Sequence, residues 1–243
     1  MSRYQVPKNI AIKARLLEAA MILTRGKSLI EGMSDAQRYL GLSEANTYST
    51  KKWIVDKKIT KLGGKRILVT VNNVKRQVAI NIAGTKLSFD LHGIDDVDLD
   101  AQMINGKEIE LHPQLIEGIQ VIQAVKRKYP GYLIEINGFS LGGGKAIYLG
   151  NLEGIPSFTF NPHTISSWLL DSTPYHGITH NIYRTYNDFP SRGSYVLMNQ
   201  YPNNYNVHAY NHLRINDSPS DKWDLQSLYT GLEKPHRLNN FYL

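Results

Sequence analysis

Apolar residues recur along this chain with two periods, and the switching between them is the first sign of its architecture. Ile10, Ile12, Leu16, Leu17, Ala20, Met21 and Leu23 keep a helical spacing across residues 8 to 24, which predicts an amphipathic helix. A second helix is predicted after Ser34-Asp35-Ala36-Gln37. Arg66 to Val71 and Gln77 to Ile82 are instead short β-branched runs around Asn72-Asn73, the pattern of two strands joined by a turn. The 3.6-residue period returns from Pro113 to Lys128 through Leu115, Ile116, Ile119, Ile122 and Val125, and Tyr129-Pro130-Gly131 stops it. Beyond it extended and helical runs alternate: Tyr132 to Asn137 extended, Lys145 to Leu149 helical, Ser157 to Pro162 extended, Thr164 to Leu170 helical, Ile182 to Asn187 extended. That alternation predicts an α/β fold, a mostly parallel sheet with helices on both faces. Residues 201 to 220, rich in Tyr, Asn, Pro and His, read as a long irregular loop of the kind that carries substrate contacts.

Composition narrows the class. With 243 residues, 42% of them hydrophobic, the chain suits one large domain or a domain with an appendage. Residues 1–65 read as a basic, mainly helical N-terminal appendage and 66–243 as the α/β domain. No cysteine is present, so disulfides, a thiol nucleophile and thiolate metal sites are excluded. The start lacks a long apolar run, and Ala11 to Leu23 is interrupted by Lys13, Arg15 and Glu18, so neither a signal peptide nor a membrane span is expected.

The net charge of +7 is unevenly placed, with 16 Lys and Arg against 5 Asp and Glu in residues 1–80 and 12 against 16 in the rest. A basic N-terminal third suits an anionic membrane surface or an acidic partner. Nucleic acid is disfavoured as a partner, because no phosphate loop, zinc-finger spacing or aromatic RNA-binding strand accompanies the charge. Asp90, Asp95, Asp96, Asp98 and Asp100 form an acidic cluster. It lacks the calcium-loop spacing, since the position of the bidentate glutamate counted from Asp96 is Lys107. No metal and no cofactor is expected.

The chemistry centres on Gly138-Phe139-Ser140-Leu141-Gly142, which joins an extended run to a helical one. In a G-x-S-x-G turn between strand and helix the serine is held in a strained backbone conformation with its hydroxyl exposed, and larger residues in place of the glycines would collide with the flanking elements. Ser140 is therefore the candidate nucleophile. The amide of Leu141, at the start of the helix, is a candidate oxyanion donor. Ala83-Gly84-Thr85, leaving an early strand, offers Thr85 as the second donor. In this class an acid and then a histidine follow the serine along the chain. Asp188, after the strand ending at Asn187, is the candidate acid, ahead of Asp171, Asp217, Asp221 and Asp224. His163, His176, His180, His208, His212 and His236 are the candidate bases. His236 is preferred, because Leu238 and Phe241 could dock the segment that carries it, and His208 or His212 is the alternative.

These residues resemble the class 3, fungal-type lipases of the α/β-hydrolase fold, including short versions in phages and viruses, over roughly residues 75 to 243. Ala79 to Thr85 is similar to the family's strand and oxyanion loop. Tyr129-Pro130 through Gly143 is similar to its nucleophile block, Phe158 to Pro162 to its next strand, Tyr183 to Asp188 to the segment with the acid, and His236-Arg237-Leu238-Asn239-Asn240-Phe241 to the ending of the short relatives. Phe139 stands where the family usually has histidine, and Ala83 where it usually has arginine. The resemblance implies a serine carboxylic-ester hydrolase with a Ser140, His236, Asp188 triad, acting on lipid, phospholipid or small esters. With neither a signal peptide nor a membrane span expected, a cytoplasmic or virion-associated protein is expected rather than a secreted one. The other reading is a lipase-fold binding or structural protein without turnover, such as a virion component.

Overall fold

The computed structural model describes residues 7–42, 49–84, 99, 103, 112–163, 165–174, 176–185 and 205–210. The elements, in chain order, are α1 (Lys8–Arg25), α2 (Leu29–Gly41), β1 (Ile54–Val55), α3 (Lys57–Thr60) with a 3-10 turn at Lys61–Gly63, β2 (Ile67–Asn72), β3 (Gln77–Ile82), α4 (Pro113–Lys128), β4 (Leu133–Phe139), α5 (Leu141–Glu153), β5 (Ser157–Phe160), α6 (Ser167–Asp171), β6 (His180–Thr185) and β7 (Tyr205–Tyr210).

Among the described residues the strands form one seven-stranded sheet in the order β1-β2-β3-β4-β5-β6-β7. β1, β2 and β3 pair antiparallel, and every pairing from β3 to β7 is parallel. This is the mostly parallel, α/β-hydrolase-like sheet that the sequence predicts. Because parallel strands are added in chain order and crossovers are right-handed, the connecting helices gather on one face. There Val121, Ile122 and Val125 of α4 and Ala146, Ile147 and Leu149 of α5 share a core with Val78, Ile80, Ile82 and Ile136. The other face is covered from the N-terminal side of the chain. Leu16, Ala19, Ala20 and Leu23 of α1 and Met33, Ala36 and Leu40 of α2 bury Leu68 and Ala79, while Ile10, Ala14 and Leu17 pack on Phe139, Phe160 and Tyr183.

Residues before 66 thus contribute a helical layer and the β1 edge strand. The β1 edge is blunted by a side chain: the Gln37 carboxamide accepts from the Val55 amide (2.7 Å) and donates to the Trp53 carbonyl (3.5 Å). These backbone groups would otherwise invite another strand.

The layer under α1 is partly polar. Lys13, buried on α1, donates to Glu135 of β4 and lies 3.8 Å from the centre of the Phe158 ring. Burial pushes the Lys13 ammonium below its usual range, and the Glu135 carboxylate opposes that shift. Beside this pair, Asn137 donates to Asn81 (2.9 Å), which donates in turn to Thr70 Oγ1 and the Leu68 carbonyl (both 3.0 Å).

Two expectations need correction. The second helix starts at Leu29 rather than after Ser34, because Ser28 caps it by accepting from the Glu31 amide (3.2 Å). The strand expected over Ile182 to Asn187 is present as His180–Thr185, while Tyr186 and Asn187 lie outside the described residues. Residues 205–210, expected within an irregular loop, form β7 through parallel pairing with β6, which sets His208 opposite Tyr183.

Candidate active site

β4 passes directly into α5 at Ser140, whose backbone takes φ 54° and ψ −126°. An L-residue adopts this region only when its surroundings enforce it. Here both sides do. The Ser140 amide donates to the Phe160 carbonyl (3.2 Å), tying the turn to the end of β5. Its carbonyl accepts from the amides of Gly143 (2.8 Å), Gly144 (3.2 Å) and His163 (2.8 Å), so α5 and the segment after β5 hold the same peptide.

The glycines are required by contact. A β-carbon at Gly138 would strike the Gly142 carbonyl oxygen and lie 2.6 Å from its carbon. One at Gly142 would strike the Ile82 and Ala83 carbonyl oxygens, and one at Gly143 would lie 2.7 Å from Pro162 Cβ. The turn therefore fits only with bare backbone between β3, β4 and α5. Phe139, where the resemblance expects histidine, is buried against Ile10, Ala14 and Leu17 of α1. That site is an apolar contact between helix and sheet, which an imidazole would serve poorly.

Ser140 remains half-exposed, whereas Leu141 and the following helical turns are buried. As the first residue of α5, Leu141 carries one of the amides that a helix leaves without an internal partner, at the positive end of the helix dipole. The chain leaving β3 comes alongside. A β-carbon on Gly84 would lie 3.0 Å from Ser140 Cβ and 3.1 Å from the Phe139 carbonyl oxygen. The register aligns Ile82 with Gly138, Phe139 with Phe160, and Phe160 with Tyr183, so β3, β4, β5 and β6 end on one rim. Ser140 and Leu141 are brought together there. Thr85, Asp188, His236 and His212 lie outside the described residues, as does the acidic cluster from Asp90 to Asp100.

A second serine and histidine meet elsewhere. Ser157 Oγ and His180 Nδ1 are 2.7 Å apart, and His180 Nε2 is 2.8 Å from Asn151 Oδ1. Both residues are buried and begin their strands, so they lie at the rim opposite Ser140. The imidazole stacks on Tyr205 with ring centres 5.3 Å apart. Burial pushes His180 down to about 4 and Tyr205 up to about 12. A neutral imidazole sealed from solvent fills a structural role. His176 lies beside Gly154 at the far end of α5, and the His163 backbone serves the Ser140 turn.

The structure adds one polar residue near the elbow. Lys145, buried in α5, donates to Gln114 Oε1 (2.8 Å) and so ties the nucleophile helix to α4. Its sequence signal is a lone cation in a run of glycine and apolar residues. Among the described residues no three His, Asp or Glu side chains are grouped to hold a metal ion, and no helix is long and apolar enough to cross a membrane.

No protein-family model and no curated protein sequence matches the chain. Solved structures to which it is similar include lipase II from Rhizopus niveus, at 15% identity and TM-score 0.42, covering 74% of this chain and 72% of that one. The Rhizomucor miehei lipase propeptide complex follows at 14% identity and TM-score 0.39, covering 71% and 60%. A triacylglycerol lipase from Penicillium expansum stands at 15% identity and TM-score 0.32, covering 60% and 63%. Each is a distant likeness, and what points to chemistry at Ser140 is the backbone of this chain's own β4 to α5 turn.

Proposed function

We propose that this chain is a serine ester hydrolase with Ser140 as nucleophile and lipid or small acyl esters as substrates. The observation that carries the reading is the Ser140 backbone, at φ 54° and ψ −126° between β4 and α5. Strain of this kind costs about 1–3 kcal/mol, and structure without function has no reason to keep it. In the proposed reaction Ser140 Oγ attacks the acyl carbon and the Leu141 amide receives the oxyanion. The alcohol leaves with a proton from the base, and water then releases the acid. Thr85 is proposed as the second oxyanion donor, supported by the closeness of Gly84 to Ser140. Asp188 is proposed as the acid and His236 as the base, with support from their order along the chain and from the course of β6, which runs parallel to β5 toward the Ser140 rim as far as Thr185.

The test is a fluorophosphonate probe together with hydrolysis of short-chain nitrophenyl esters. The folded protein should be labelled at Ser140, and Ser140→Ala should lose both labelling and turnover. A folded parent protein that takes no label and hydrolyses no ester would instead be a binding protein on the same fold.

A further inference from the structure

At the end of the sheet remote from Ser140, exposed aliphatic side chains stand among cations. The β2 to β3 turn places Val74 at its tip, 73% exposed, followed by exposed Lys75 and Arg76. Leu133, 69% exposed, starts β4 alongside: its amide donates to the Arg76 carbonyl (2.9 Å), and Tyr132 bonds Asn73 (3.2 Å). Next to the turn, Ile54, 54% exposed, with Lys57, Asn73 and Lys128, lines a groove of about 350 Å³. The acid in this groove is Asp56, already engaged by Lys128 and Tyr129 (both 2.6 Å) and by the amides of Lys58 and Ile59 (both 3.1 Å). The patch therefore presents positive charge around aliphatic tips.

We propose that this hairpin end is a docking surface for an anionic lipid bilayer. Val74 and Leu133 would enter the head-group boundary, with Lys75, Arg76 and Lys57 against the lipid phosphates. Apolar tips flanked by cations match a surface that is itself apolar below and anionic above. A nucleic acid would draw on open aromatic faces for stacking, whereas Trp53 here is buried, the half-buried rings of Tyr129 and Tyr132 pack on each other and already lie under Lys128 (5.2 Å) and Arg76 (5.3 Å), and the exposed large apolar side chains Val74, Leu133 and Ile54 are aliphatic. β4 spans the seven residues from Leu133 to Phe139, so the patch and Ser140 are separated by roughly 20 Å along the strands. Docking at this end holds the protein on the surface with Ser140 turned toward the water, so a bound molecule keeps its access to soluble or opposed substrates. The inference does not depend on Ser140 being a nucleophile.

Co-sedimentation with vesicles tests it. The full chain should bind mixed phosphatidylcholine and phosphatidylglycerol vesicles, bind phosphatidylcholine alone far more weakly, and lose binding as salt rises. Lys75→Gln should weaken partitioning about fivefold and Val74→Asp about tenfold, both with an unchanged melting temperature. Ser140→Ala should bind as the parent does. Equal binding to both vesicle types, or parental binding by both patch variants, overturns the proposal. So does retention of duplex DNA or polyglutamate without any vesicle binding, which would assign the patch to another polyanion. Ester hydrolysis by Ser140 can fail while vesicle binding stands, and the reverse holds equally.

Discussion

A β-carbon on Gly138 would strike the carbonyl oxygen of Gly142, so β4 and α5 can meet at Ser140 only while the first of these residues is glycine. Gly138→Ala is expected to cost about 3 kcal/mol or more, because backbone and not a flexible side chain must move. Gly144→Ala is the internal contrast. Its nearest new neighbour is the Met103 Cε methyl at 3.0 Å, the end of a flexible side chain, so the change should cost less than about 1 kcal/mol. Urea unfolding of the two variants compares them directly, and similar losses would contradict the steric account.

Ser140→Gly separates stored strain from catalysis. Glycine adopts φ 54° and ψ −126° without a side-chain penalty, so the variant should gain about 1 kcal/mol of stability after its greater unfolded-state entropy is counted. Ester hydrolysis should vanish in the same protein. Ser140→Ala should lose hydrolysis without that gain. A Ser140→Gly variant less stable than Ser140→Ala would show that the turn holds no releasable strain.

His180 gives the fold a dependence on acid. Its folded value of about 4 lies below the ordinary 6.5, so between those limits the unfolded chain binds a proton that the folded protein refuses. Stability from this residue is therefore complete above pH ~6.5 and is lost progressively as pH falls toward 4, by on the order of 3 kcal/mol. His180→Gln, which keeps a polar group near Ser157 and Asn151, should flatten that part of the curve. The readout is the urea midpoint at successive pH values for parent and variant. An unaltered slope in the variant would sink the assignment.

Lys13 and Glu135 stand or fall together. Lys13→Ala leaves a carboxylate buried beneath α1 without its cation and should cost about 3–5 kcal/mol. Lys13→Met with Glu135→Gln removes both charges and keeps an acceptor for the Asn137 amide, so it should restore most of the loss. A single variant within about 1 kcal/mol of the parent would mean that the pair behaves as a surface contact.

Features with a local cause could be read from the sequence. α4 runs over its predicted span because a complete apolar period is bounded by Pro113 at the start and Pro130 at the end. The β2 and β3 pair follows from β-branched runs around a polar turn. The Ser140 elbow is legible because its glycines are a local steric demand. What escaped depends on distant residues. β7 mixes Tyr, Asn and His with Val and Ala, and only pairing with β6 makes it a strand. Lys13 looks like a break in an apolar stretch until Glu135, 122 residues away, arrives beside it. His180 looks like one candidate base among several until Ser157 and Asn151 enclose it.

The sequential strand order has a consequence for how the molecule comes into being. During synthesis α1 and α2 emerge before any strand they cover, and the Glu135 partner of Lys13 follows 122 residues later. Leu68 and Ala79 cover part of this helical pair soon after α2, but Ile10, Ala14 and Leu17 must wait for Phe139, Phe160 and Tyr183, and Lys13 for Glu135, while about half of the chain or more is made. Over that interval the apolar side of α1 is open to association with other chains, and the exposure ends only when Tyr183 of β6 reaches it.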